Sequence, residues 1–149
     1  MTTTDLGATA EVSQGLDSPL EIAGVTFTSR LIVGTGKYTT NQIMVDAIRA
    51  SGAEMVTVAV RRVDLDRTRE EAILHHLSPE EFFLLANTAG CHTAEDAIRY
   101  ARLARAAGFN EFVKLEVIGD DETLLPDVQA TIEAAQTLAD EGFKVMAYT

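Results

Sequence analysis

Phe112-Val113-Lys114-Leu115-Glu116-Val117-Ile118-Gly119-Asp120 is the stretch on which the fold depends. Apolar residues fill almost every position, which reads as a buried strand. Two charges interrupt it. Successive strand side chains point to opposite faces, so Lys114 and Glu116 share one face, roughly 7 Å apart along the strand. Val113, Leu115 and Val117 share the other. Two inward charges are costly unless they are paired or used. One reading is a buried ion pair. The other is an amine nucleophile with a carboxylate beside it to move protons.

The same grammar recurs outward from this stretch. Ala107-Gly108 precedes it, as Ala50-Ser51-Gly52 precedes Met55 and Glu141-Gly142 precedes Lys144. Strands are expected to begin near Leu31, Met55, Phe82, Phe112 and Lys144, roughly 24 to 32 residues apart. Between them lie helical patterns. Asn41 to Ala50 carries Ile43, Met44, Ala47 and Ile48 on one face. Thr93 with Asp96 resembles a capping box that opens a helix to about Ala107. Glu122 to Glu141 is expected as the last helix, with Pro126 in its first turn and Val128, Ile132, Ala135 and Leu138 as its buried stripe. Arg67 to Leu77 is a weaker helical candidate. Leu20 to Ala23 and Val25 to Thr28, around Gly24, look like a small hairpin that covers one end of a larger body.

This rhythm is that of βα units building a parallel sheet. Two architectures use it. An open doubly wound sheet is complete with five strands. A (β/α)8 barrel needs three more units and about 250 residues.

Composition narrows the function. A chain of 149 residues is one domain by size. Its formal charge of -11 argues against nucleic acid and against an anionic membrane surface. No apolar run approaches the ~20 residues needed to span a bilayer. Residues 1–18 are polar, lack a basic start and an apolar centre, and read as a mobile tail ahead of a domain over residues 19–149. The single cysteine, Cys91, fits a reducing cytoplasm.

Most other candidates fail on chemistry. Gly34-Thr35-Gly36 lacks the third glycine of a dinucleotide fingerprint, because Thr39 stands there. Tyr38 follows Lys37 where a Walker loop needs Ser or Thr, so a tight strand-end turn is the simpler reading. Arg61-Arg62 is either a solvated strand end or a grip for a phosphate or carboxylate. Cys91 beside His92 is not a nucleophile–base pair by adjacency. His75-His76 has no partners at metal-ligand spacing, so no metal is expected, and nothing points to a cofactor. Glu80-Glu81 and Asp120-Asp121-Glu122 read as helix-start charges.

Five stretches together decide more than any one. They are Val33-Gly34-Thr35-Gly36-Lys37-Tyr38, Thr57-Val58-Ala59-Val60-Arg61-Arg62, Asn87-Thr88-Ala89-Gly90-Cys91, Val113 to Asp120, and Gly142-Phe143-Lys144-Val145-Met146. In order and spacing, from about Leu20 to Thr149, this set resembles the thiazole synthase family of thiamine biosynthesis. The resemblance implies a parallel (β/α)8 TIM barrel, here truncated after about the fifth strand. It implies a synthase that condenses 1-deoxy-D-xylulose 5-phosphate with a glycine- or tyrosine-derived imine (dehydroglycine). Sulfur would come from the C-terminal thiocarboxylate of a ubiquitin-like carrier protein, giving thiazole phosphate carboxylate. The family's Schiff-base lysine falls on Lys114, and a carboxylate implicated in proton transfer falls on Glu116. The implied partners also include an imine-producing enzyme and other copies of the full-length protein. The phosphate site is expected in later strands, so this stretch alone is expected to be inactive. The rivals are another Schiff-base barrel enzyme of aldolase type and a non-catalytic open-sheet binding module.

Overall fold

A computed structural model describes residues 18–66 and 68–149. Apart from Ser18, the expected polar tail lies outside the described residues. Ser18 is tied in: its carbonyl accepts from Arg30 Nη2 at 3.0 Å.

The chain opens with the expected hairpin. Strand β1 (Leu20–Ile22) pairs antiparallel with β2 (Val25–Phe27). Ala23 and Gly24 between them both adopt positive φ, as a tight two-residue hairpin turn requires. The main sheet follows: β3 (Ile32–Gly34), β4 (Met55–Ala59), β5 (Phe83–Asn87), β6 (Phe112–Leu115) and β7 (Lys144–Ala147). All are parallel and lie side by side in chain order. The helices between them are α1 (Asn41–Ser51), a single-turn α2 (Ile73–His76), α3 (Ala94–Ala106) and α4 (Val128–Asp140). Gly52, Gly108 and Gly142 all take positive φ, which confirms the recurring helix–glycine–strand unit.

Strand order settles the architecture. A doubly wound sheet reverses direction and carries helices on both faces. Here no reversal occurs, and right-handed crossovers in one direction place every helix on one face. The packing agrees. On the outer face, Val56, Val58, Leu84 and Ala86 pack with Met44, Val45 and Ile48 of α1 and with Leu74. Val113 and Leu115 pack with Ala97 and Ala101 of α3 and with Ala134 and Leu138 of α4. On the inner face, Met55, Leu85 and Phe112 gather with Phe27 of the hairpin and with no helix. Phe83 stands edge-on to both Phe27 and Phe112, with ring centroids 5.1 and 5.0 Å apart. The hairpin therefore covers the N-terminal end of the inner face and leaves the other end open. This is the singly wound arrangement of a (β/α)8 barrel.

Three expectations need correcting. Helix α2 covers only Ile73–His76 of the expected helix from Arg67 to Leu77, and Arg67 itself lies outside the described residues. Just upstream, the Asp64 and Asp66 carboxylates accept the backbone N–H groups of Asp66 and Thr68. Such local bonds compete with a helix. Strand β6 ends at Leu115, not Asp120, and α4 begins at Val128, not Glu122. The intervening chain doubles back: Gly119 N–H donates to Leu125 O and Asp127 N–H donates to Val117 O, each at 2.9 Å. A Cβ at Gly119 would lie 3.1 Å from Asp127 N, a tight contact with backbone, so this return favours a glycine. Asp120 accepts from the N–H groups of Glu122 and Thr123 in a turn, and Asp127 is the helix cap. Finally, Thr131, Ala134 and Leu138 form the buried stripe of α4, while Val128 and Ile132 are each 64% exposed.

Candidate active site

Strand β6 lies between β5 and β7, fourth of the five strands in the run. Alternation turns Val113 and Leu115, both fully buried, toward α3 and α4. Lys114 takes the opposite, inner face, as the sequence indicated. It lines a cleft of about 320 Å³ to which every strand of the main sheet contributes: Gly34, Thr57, Leu85, Lys114 and Met146. Glu116 lies just beyond the end of β6 on the same side. Its Oε1 accepts from Lys114 Nζ at 2.8 Å, with the side chains 38% and 13% exposed for Lys114 and Glu116 respectively. The Lys114 ammonium also lies 5.7 Å from the centre of the Tyr148 ring, within cation–π range. The site thus contains the ion pair of the first reading, and its amine lines the cleft that the second reading needs.

Register gives individual places to residues that the sequence reading quoted only within a stretch, Asn87 and Thr88, or not at all, Tyr148. Asn87 pairs with Lys114 across β5 and β6. Its Oδ1 accepts from Ala89 N–H at 3.1 Å, which fixes the amide at the strand end. Thr88 is fully buried and hydrogen-bonds to the Glu116 backbone. Tyr148 N–H donates to Leu115 O at 2.8 Å, which holds its ring beside the amine. What each of them does at the site could be seen only by aligning the strands, because neither composition nor spacing says which residue meets Lys114 or Glu116.

The other candidates sit apart from the pair. Arg61 and Arg62 lie in a short 3-10 turn after β4, both exposed, and Arg61 donates to the Gly90 carbonyl. Neither forms an ion pair among the described residues. Gly34-Thr35-Gly36-Lys37 is a strand-end turn, with Lys37 at φ 69° and Thr35 Oγ1 donating to Thr57 O at 3.2 Å. Cys91 is 1% exposed. Burial, reinforced by nearby Asp96, pushes its thiol up to about 11, so it stays protonated and is no nucleophile. His92 Nδ1 rests 3.2 Å from Ile118 O. His75 and His76 stack edge to face, and among the described residues no three His, Cys, Asp or Glu side chains converge on a metal position. Glu80 and Glu81 precede β5 and not a helix, and Glu81 pairs with Arg49 at 2.6 Å. Among the same residues, no helix is long and apolar enough to cross a membrane.

Fold and site together define a class. The sheet is a five-strand portion of a (β/α)8 barrel, with its charged pair at the C-terminal strand ends, where barrel enzymes do their chemistry. Comparison with known proteins then fixes the family. The family described as thiazole biosynthesis protein ThiG matches residues 21–149, and the chain belongs to it. The thiazole synthase of Geotalea uraniireducens (strain Rf4) is 56% identical over 130 residues, 87% of this chain and 50% of that protein. The thiazole synthase of Myxococcus xanthus (strain DK1622) is 53% identical over 133 residues, 89% of this chain and 51% of that protein. The chain spans about half the length of the curated relatives it matches. Among solved structures, the Amycolatopsis orientalis BexX/CysO complex contains a chain similar in fold, with a TM-score of 0.70 and 32% identity. The match covers 88% of this chain and 54% of that one.

Proposed function

We propose that this chain carries the imine-forming half of a thiazole synthase. The observation that carries the reading is the Lys114–Glu116 pair, 2.8 Å apart at the C-terminal strand ends, with Lys114 lining the cleft. The Lys114 amine adds to the ketone of 1-deoxy-D-xylulose 5-phosphate. Water leaves and a C=N bond forms. The imine is an electron sink, so a proton on the neighbouring carbon becomes removable. Glu116 takes that proton while the C–H electron pair becomes a C=C bond and the C=N π pair moves onto nitrogen, giving an enamine. Before attack the amine must be neutral: the existing hydrogen bond gives the ammonium proton a route to Glu116, which returns it to the oxygen that departs as water and is again a carboxylate when the carbon proton is removed. Sulfur then arrives as a carrier-protein thiocarboxylate, and the dehydroglycine imine comes from a separate enzyme. A neighbour of known structure solved as a two-protein complex supports a protein partner. We place the reaction in the cytoplasm and expect the full-length protein to self-associate.

The test is borohydride reduction in the presence of the sugar phosphate, followed by mass analysis. The full-length protein is expected to gain an adduct on Lys114, and K114A to gain none. No adduct on well-folded protein sinks the reading and favours the rival in which the pair is only an ion pair, which its short contact also suits. Dependence of product on the thiocarboxylate carrier separates a thiazole synthase from an aldolase-type barrel. The 149-residue chain alone is expected to give no turnover, because this reading expects the phosphate site in strands beyond these five. Product formation by that chain overturns this assignment.

A further inference from the structure

We infer that Thr88 is a positioning residue for this chemistry, holding the peptide units of both Lys114 and Glu116 through three hydrogen bonds. The inference rests on the function proposed above.

On its β7 side the backbone pairing of β6 extends past the strand end, since Tyr148 N–H donates to Leu115 O. On its β5 side the ladder stops at the Asn87–Lys114 pair. The β5 chain then turns, and Cys91 N–H donates to Thr88 O at 3.1 Å. No β5 backbone group is left to meet Glu116, whose N–H and C=O would lack partners on that side. Buried backbone polar groups are costly to leave unpaired. The Thr88 hydroxyl meets both: its Oγ1 accepts from Glu116 N–H and donates to Glu116 O, each at 2.8 Å. A hydroxyl is suited to this double duty because one oxygen both donates and accepts. Thr88 N–H also donates to Lys114 O at 3.2 Å.

One side chain therefore governs the backbone of the acid, and its own amide governs that of the amine. Glu116 lies past the end of regular pairing, so its backbone direction, and with it the aim of its carboxylate at Lys114 Nζ, depends on this clamp. Thr88 itself is fully buried and lies off the cleft lining. It acts through Glu116 and not on substrate.

The test uses T88V, T88S and T88A in the full-length protein. T88V keeps the shape and loses the hydroxyl. It is expected to lower kcat about 10- to 100-fold, the scale of a small misplacement of a catalytic group, with KM within a few-fold of the parent. T88S keeps the hydroxyl and is expected to restore kcat to within a few-fold. Amide hydrogen exchange at Glu116 is expected to speed up in T88V and to stay slow in T88S. If T88V does not fold, the comparison of T88S with T88A isolates the hydroxyl in the same way. Parental kcat in T88V, equal losses in T88S and T88A, or an unchanged Glu116 amide in T88V overturns the inference. Each of these results is distinct from a missing Lys114 adduct in the parent protein, which sinks the underlying function and the catalytic half of this inference with it.

Discussion

Helices α3 and α4 are built alike and end up in different surroundings. Each has 13 residues and an N-cap side chain that accepts the N–H three residues on, Thr93 from Asp96 and Asp127 from Ala130. Each stops before a glycine with positive φ, Gly108 and Gly142. Helix α3 packs against α4 on one side and against the 3-10 turn after β4 on the other. It buries Ala94, Ala97, Ala101 and Ala104. Helix α4 has α3 on one side only. Its far side borders the edge of β7 that has no strand partner among the described residues. There Val128, Ile132 and Ala135 line an apolar groove with Pro126, Ala147 and Tyr148. The difference teaches that a helix in this sheet carries two apolar stripes, one for the sheet and one for the next helix. Only the stripe with a neighbour is buried here.

The comparison predicts unequal costs for equal changes. Leu138 is fully buried against Val113, Leu115 and Ala134. L138A removes that packing and leaves a cavity, so a urea titration should show a loss of about 2–5 kcal/mol. Ile132 is 64% exposed on the same helix. I132A in the 149-residue chain should change stability by no more than about 0.5 kcal/mol. Costs of similar size would mean that the outer stripe of α4 is already covered, and the contrast with α3 would collapse. Should a longer chain fill the groove, the same I132A change should become expensive there.

How much of this could be read in the sequence follows from the same contrast. The strands were legible because both faces of a parallel sheet are covered, so each is a short apolar run closed by glycine or a polar loop. Lys114 and Glu116 stood out as two charges one residue apart inside such a run, and alternation alone put them on one face. The stripe of α4 was misread because Val128, Ile132, Ala135 and Leu138 form a valid helical period. Periodicity finds an apolar face but does not say which neighbour exists to bury it. The late start of α4 was hidden for another reason. Asp120, Glu122 and Asp127 all suit a helix start, and only the backbone return from Leu125 to Gly119 selects the last of them. Thr88 was quoted only within the Asn87 to Cys91 stretch, and its role was not legible because it depends on where the β5–β6 ladder stops, and register is a property of two strands together.

The smallest expected effect concerns the one neighbour α4 does have. Glu141, at the C-cap of α4, accepts from Arg102 of α3, with Nε to Oε2 at 3.1 Å, and Arg105 Nη2 lies 3.6 Å from the same oxygen. The Arg102 hydrogen bond, helped by the charges of Arg102 and Arg105, holds the Glu141 carboxyl below its ordinary range. A carboxylate whose folded value is depressed binds its proton more weakly folded than unfolded. Its contribution to stability is therefore fully present above the unfolded value of about 4.3 and is lost as pH falls through the lower folded value. E141Q should cost stability near neutral pH, and the gap between parent and variant should close as the pH drops below about 4. Because the pair is exposed, added salt should narrow the same gap at neutral pH. Denaturant titrations of both proteins across that pH range would check it. A gap that stayed constant into acid would mean that α3 and α4 are joined by packing alone, through Ala97, Ala101, Ala134 and Leu138, and that the charged clamp at their ends adds nothing.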